Sequence, residues 1–256
     1  MLRARRRLVT VAVTASLLTL GSAPVAAQGS PHWSYSGPTG PAKWGILEKE
    51  YSSCALGKTE SPIDIRDAIA KKTALPAINF DYQASTLKII DNGHTIQINY
   101  TPGSFITVGS EQYELVQFHF HKPSEEKLNG KSYDMVAHLV HKDKDGKLAV
   151  VAVLLARGSA NPLIKTLWNN LPKEKEKENV VDTVKINVAD LLPQNQAYYT
   201  FAGSLTTPPC TEGVTWFVLK HSTSISADEI ARFAKFYPMN ARPVQPLNGR
   251  EVRVSE

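Results

Sequence analysis

The pentapeptide Gln117-Phe118-His119-Phe120-His121 restricts the fold of this chain more than any other stretch. Its aromatic and imidazole side chains alternate with a period of two, and an extended strand is what places every second side chain on one face. Val116, Phe118 and Phe120 are therefore expected on a core face. Gln117, His119 and His121 are expected on the opposite face, turned toward a cavity. The chain continues "KPSEEKLNGKSYDMVAHLVH", which adds His138 and His141 on a second, apolar run. On an extended strand these two point in opposite directions, so only one can join His119 and His121.

Three neutral imidazoles with an open fourth corner form the donor set of catalytic zinc, which lowers the pKa of a bound water to about 7. A different chemistry fits part of the same string. His119, His121 and Glu125 have the H-x-H-x₃-E spacing of cupin metal sites, where Glu125 would be a fourth ligand to iron or manganese. That arrangement needs a further histidine on a late strand. The only histidine after the hairpin is His221, in a turn-like context.

Around this hairpin the pattern is mainly β. Short runs such as "STLKIIDNGHTIQINY", "SFITVGSEQYELVQFHFH" and "KLAVVAVLLARG" are separated by turn residues. Helical signals are confined to Asn161–Leu171 and to "SADEIARFAKFY", where Ser226 and Glu229 have capping-box spacing. The stretch "HWSYSGPTGPAKWG" reads as an irregular arm pinned by Trp33, Tyr35 and Trp44, and "KEKEKE" at 173–178 as a solvated turn. No internal repeat and no linker-like change in composition follows residue 30. A single domain is expected over residues 28–256, mainly β with short helices (α+β).

Residues 1–27 have the form of a secretory signal peptide: Arg3, Arg5, Arg6 and Arg7, an apolar run from Leu8 to Leu20, and small residues ending at Ala27. The run is short for a membrane anchor. Removing this segment takes the formal net charge from +5 to +1. The basicity that would point to nucleic acid or an anionic membrane thus leaves with the leader. The expected location is secreted or periplasmic. In such an oxidising compartment Cys54 and Cys210 are expected to form a disulfide.

Taken together, "HWSYSGPTGPAKW", "ESPIDI", "DNGHTIQI", "QFHFHKPSEE", "AHLVHK", "GSLTTPPCTEGVTW" and "ARPVQPLN" resemble the α-class carbonic anhydrases, especially their secreted bacterial members. The resemblance covers nearly all of the mature chain. It implies a central twisted, mostly antiparallel sheet with a conical active-site cleft. The implied activity is reversible hydration of carbon dioxide to bicarbonate and a proton by zinc-bound hydroxide. It also implies that His119, His121 and His138, not His141, hold Zn²⁺. In the same matching Thr206 orients the hydroxide and donates to Glu125, and His94 shuttles protons. Tyr35, Asn92 and Gln97 order water in the cleft, and Val140, Val150, Leu205, Val214, Trp216 and Thr207 line the substrate pocket. Cys54 and Cys210 match the family's disulfide. Gln117 and the backbone carbonyl of Asn240 would orient His119 and His121. The expected partner is the small-molecule substrate alone, on a monomer or homodimer. The competing reading is a carbonic-anhydrase-like binding domain without catalysis.

Four positions depart from the family pattern. Val136 stands where a glutamate usually bonds the third zinc histidine, Glu126 where a histidine is common, Glu60 where glutamine is usual, and Phe201 where tyrosine is usual. A buried His138 needs an acceptor for its second ring nitrogen. Glu126 or Glu60 is expected to supply it from another direction.

Overall fold

The alternation at Gln117–His121 is realised at the C-terminal end of an eleven-residue strand, Glu111–His121, inside a thirteen-stranded sheet. A computed structural model describes residues 32–255; the expected leader and its cleavage point lie outside the described residues. Ten strands form the main path: β1 (Lys71–Lys72), β2 (Ser85–Asp91), β3 (Ile96–Asn99), β4 (Glu111–His121), β5 (Met135–Lys142), β6 (Leu148–Arg157), β7 (Asn179–Ile186), β8 (Tyr198–Ser204), β9 (Glu212–Leu219) and β10 (Arg253–Val254). Their spatial order is β7-β2-β3-β4-β5-β6-β9-β8-β10-β1. Along it only β6–β9 and β10–β1 are parallel. The architecture is the expected one: a single domain, mainly β, built on a large twisted and mostly antiparallel sheet.

The central strands are apolar because both faces of the sheet are buried there. On β5, Met135, Ala137 and Leu139 enter one cluster with Phe118 and Phe120, while Val136 enters a second with Val150, Ala152, Leu154, Phe201 and Trp216. Two helices cover the first cluster. α1 (Pro162–Asn169) begins at Asn161, whose side chain accepts from Leu163 N and Ile164 N at 3.0 and 3.1 Å. α2 (Ala227–Ala234) carries the expected capping box between Ser226 and Glu229. Both present apolar side chains to the sheet, including Ile164, Leu167, Trp168, Ile230 and Phe233.

One face assignment needs correction. Val116 does not share the core face with Phe118 and Phe120; it is 42% exposed, and Leu115 is buried in its place. The β4–β5 register explains this: Val140 pairs with Gln117 and His141 with Leu115, so Val116 is the extra residue of a β-bulge. The alternation therefore shifts by one just before the histidines. His141 lies on the core face, fully buried, and pairs with the hydroxyl of Tyr82 at 2.8 Å.

The N-terminal arm is more deeply seated than its composition suggests. Trp44 is fully buried, donates to Ser34 O at 2.8 Å and meets Trp33 and Tyr35 edge-on. It packs with Cys54 and Cys210, which are joined in a disulfide across 156 residues of sequence. Residues 173–178 are exposed, as expected of the charged turn. Among the described residues no helix is long and apolar enough to cross a membrane.

Close approach fixes one residue type on β8. A Cβ at Gly203 would lie 2.2 Å from Ser61 Oγ and 2.6 Å from Trp216 Cδ1, so no side chain fits between β8 and the Ser61 segment. Gly203→Ala is expected to destabilise the fold by about 1–3 kcal/mol through overpacking. Urea unfolding checks this: the midpoint should fall with the slope unchanged, and an unmoved midpoint would mean that the gap is wider than the geometry indicates.

Candidate metal centre

β4 and β5 pair so that His119 lies directly opposite His138, with His121 two residues along opposite Val136. The three rings converge. Their centroids are 5.0 Å apart for His119–His121, 5.6 Å for His119–His138 and 4.7 Å for His121–His138. One nitrogen from each ring lies within 4.8 Å of the other two.

In every ring the other nitrogen has an acceptor. His119 Nδ1 donates to Gln117 Oε1 at 2.8 Å, and His121 Nδ1 to the carbonyl of Asn240 at 2.7 Å. His138 Nε2 donates to Glu126, 3.0 Å from Oε1 and 3.2 Å from Oε2. These bonds leave Nε2 of His119, Nε2 of His121 and Nδ1 of His138 as lone-pair donors facing one another. His121 Nε2 is buried with no hydrogen-bond partner. A buried nitrogen lone pair aimed at two others fits a tetrahedral metal with nitrogen ligands.

The protonation of two of the rings suits this use. Burial, with His138 nearby, pushes the His119 pKa down to about 3 and takes that of His121 well below its usual value. Burial also pulls on His138, but the carboxylates of Glu126 and Glu125 outweigh it and hold its pKa above the usual value.

Glu126 and Glu60 part company. Glu60 turns away from His138 to the buried guanidinium of Arg242, 2.6 Å from Nη1, and receives Ser204 Oγ at 3.4 Å. Of the two carboxylates expected near His138, the contact is made by Glu126 alone, because Ser124 Oγ and the backbone pairing of Ser124 with Tyr133 hold its loop against β5. Val136 stays in the apolar cluster.

Glu125 is buried next to the centre. Its Oε1 accepts from Arg242 N at 2.7 Å and lies 3.6 Å from His121 Nδ1, while Oε2 lies 3.8 Å from His138 Nδ1. Burial raises its pKa to about 7 against the opposing pull of His138, the Thr206 hydroxyl and the Arg242 amide. Glu125 is not a member of the three-histidine group, so the four-ligand H-x-H-x₃-E set does not assemble.

Above the histidines opens a cavity of about 140 Å³ whose walls include Tyr35, Asn92, His94, Gln97, Gln117, His119, His121 and Thr207. Asn92 Nδ2 donates to Gln97 Oε1 at 3.1 Å, forming part of a polar wall. Tyr35 Oη is buried without a partner, and burial beside Glu125 raises its pKa well above the usual value. Val140, Val150, Leu205, Val214 and Trp216 do not line this cavity. They belong to the second apolar cluster, which reaches the centre where Trp216 meets the His138 ring edge-on at 4.9 Å. Phe201 stacks on Trp216 at 6.2 Å.

His94 stands at the rim in a stack, 3.5 Å from the Trp33 ring at an interplanar angle of 6° and 4.7 Å from His32. Burial, His32 and Lys175 push its pKa down to about 4. Sequence reasoning passed over His32 and Arg242. A histidine in an irregular arm carries no periodicity, and a buried arginine is legible only once its partners are known.

A sequence profile described as "Eukaryotic-type carbonic anhydrase" matches residues 39–256. The carbonic anhydrase of Klebsiella pneumoniae is 44% identical over 241 residues, covering 93% of this chain and 96% of that protein. In three dimensions the chain is similar to the α-carbonic anhydrase of Thermovibrio ammonificans solved with sulfanilamide, at 42% identity and a TM-score of 0.84, covering 88% of this chain and all of that one. It is also similar to a dioscorin complexed with ascorbate, at 31% identity and a TM-score of 0.82 over 88% of this chain and 98% of that one. With likeness sustained from residue 39 onward and three histidines closing on one point, the chain belongs to the family of eukaryotic-type carbonic anhydrases, whose activity is that of a lyase.

Proposed function

We propose that this protein catalyses the reversible hydration of carbon dioxide to bicarbonate and a proton, with zinc held by His119, His121 and His138. The observation that carries the reading is the orphaned, buried Nε2 of His121, facing two other imidazole nitrogens whose rings are each fixed from behind. Zinc bound there supplies a Lewis acid and lowers the pKa of a water to about 7, making hydroxide available near neutrality.

The chain's own residues do the rest. Glu125 Oε2 is buried without a partner, and in this reading it accepts the Thr206 proton, which leaves the Thr206 oxygen able only to accept from the attacking group. An attacking oxygen bound in that way has its free lone pair directed at the substrate carbon rather than rotating at random. Carbon dioxide is apolar, and the second apolar cluster, which meets the His138 ring through Trp216, is the apolar surface that adjoins the centre. The cavity over the histidines presents the polar side chains of Tyr35, Asn92, Gln97 and Thr207, which suit ordered water.

The proton must leave, and His94 is the titratable side chain at the rim suited to carry it. Stacked on Trp33 with a pKa near 4 it holds a proton poorly at neutral pH. Burial in that stack is the largest cause of the lowered pKa, so contact with water in the cavity it lines favours uptake of the proton. The disulfide and the leader-like N-terminus support export to an oxidising compartment.

Purified protein loaded with zinc is expected to hydrate carbon dioxide, to lose the activity to a chelator and to regain it with added zinc; an inactive zinc-loaded protein would sink the reading. Glu126→Gln should weaken zinc binding by about 10–100-fold, measured by competition with a chromogenic chelator. Equal affinity would show that Glu126 does not support His138. His94→Ala should lower turnover in dilute buffer by about 10-fold or more, with recovery in concentrated imidazole, and an unchanged rate in dilute buffer argues against the shuttle.

A further inference from the structure

Asn240 uses its backbone and its side chain on different parts of the site. Its carbonyl accepts from His121 Nδ1, as described, and its amide N donates to Lys122 O at 3.0 Å. The side-chain Oδ1 accepts from Lys122 N at 2.7 Å. The side-chain nitrogen donates twice, to Phe120 O at 2.9 Å and to His94 O at 3.1 Å. Every hydrogen-bonding group of a fully buried asparagine is thus engaged, and the last of these bonds reaches the turn that carries His94.

That turn, 92–95, is otherwise held by its own bonds, by Asp91 and Gln97 on the flanking strands and by Phe120. Asn92 N donates to Thr95 O, and Asn92 Oδ1 accepts from His94 N and Thr95 N at 3.0 Å each. Its side-chain tie to the strand bearing the histidines is Thr95 Oγ1, which donates to the same Phe120 carbonyl that Asn240 uses. Strand, turn and Asn240 therefore meet at one junction.

We propose that the side chain of Asn240 is a positioning residue for proton export, holding the His94 turn at a fixed place relative to the three-histidine centre. The role is separate from that of its carbonyl, and it rests on the reading of His94 as the proton carrier. Aspartate has nearly the same shape but no N–H to offer Phe120 O or His94 O, so residue type matters here and not volume. With the bond lost, the turn samples more positions and the ring spends less time where it can collect a proton.

The test compares wild type with Asn240→Asp and Asn240→Ala in zinc-loaded protein, the second variant serving if the first does not fold. Amide hydrogen exchange at His94 and Thr95 should accelerate by about tenfold or more; unchanged exchange in a folded variant overturns the proposal. This readout needs no turnover, so it still decides if the wild type proves inactive and the proposed reaction itself fails. In active protein, the ratio of the rate in dilute buffer to that in concentrated buffer should fall at least about fivefold. In a His94→Ala background the same substitution should shift that ratio by less than about twofold. Equal losses in both buffers, or the same loss without His94, would overturn it.

Discussion

A histidine ring buried away from water must satisfy two nitrogens, and three such rings packed together cannot satisfy each other. At this centre one nitrogen per ring is bonded outward and one is directed inward, and most of the surrounding structure follows from that division. Gln117 lies on the same strand face as His119 and needs nothing more than the alternation of β4. The other two acceptors come from outside the strands that carry the rings, Asn240 from the C-terminal segment and Glu126 from the loop after β4. The inward set is as much a product of those loops as of the sheet.

The exchange at Val136 shows how the requirement can be met along a different route. A carboxylate at Val136 would point into the cluster of Val150, Leu154, Phe201 and Trp216. With valine there, that cluster stays apolar and β5 is buried cleanly on both faces. The acceptor for His138 then has to come from outside the sheet, and Glu126, fixed by Ser124 and Tyr133, supplies it with both oxygens in reach. The His138 ring therefore has a carboxylate near each nitrogen, Glu126 at Nε2 and Glu125 at Nδ1. This electrostatic setting holds its pKa up while those of its two neighbours fall.

Local patterning made much of this readable in the sequence. The period-two run at 117–121, the helical stretch beginning at Asn161 and the Ser226–Glu229 box each state their geometry within a few residues, and each appears in the structure. The face of Val116 was not legible, because a bulge is fixed by how two strands register and not by the composition of one. The choice between Glu126 and Glu60 was open for the same reason. Glu126 follows the motif closely and Glu60 lies far before it, and only the path of the chain decides that one meets His138 and the other Arg242. His94 was identifiable by resemblance, but its stack on Trp33 depends on an arm without regular structure.

The Arg242 corner extends the argument from the metal ligands to the relay. Its guanidinium is spread over Glu60 Oε2, Ser61 O and Cys54 O, and faces the Trp44 ring at 5.6 Å. Its own amide holds Glu125. A buried ion pair adds little stability compared with apolar packing, but removing one partner strands the other at a cost of about 3–5 kcal/mol. What the pair secures here is register. Cys54, whose carbonyl Arg242 holds, is bonded through sulfur to Cys210, four residues beyond Thr206. Glu125 is thus fixed through the Arg242 amide and the Thr206 loop through the disulfide, both from one anchored corner. The carboxylate and hydroxyl of the proposed relay come from distant parts of the chain, and this shared anchor gives them a common frame.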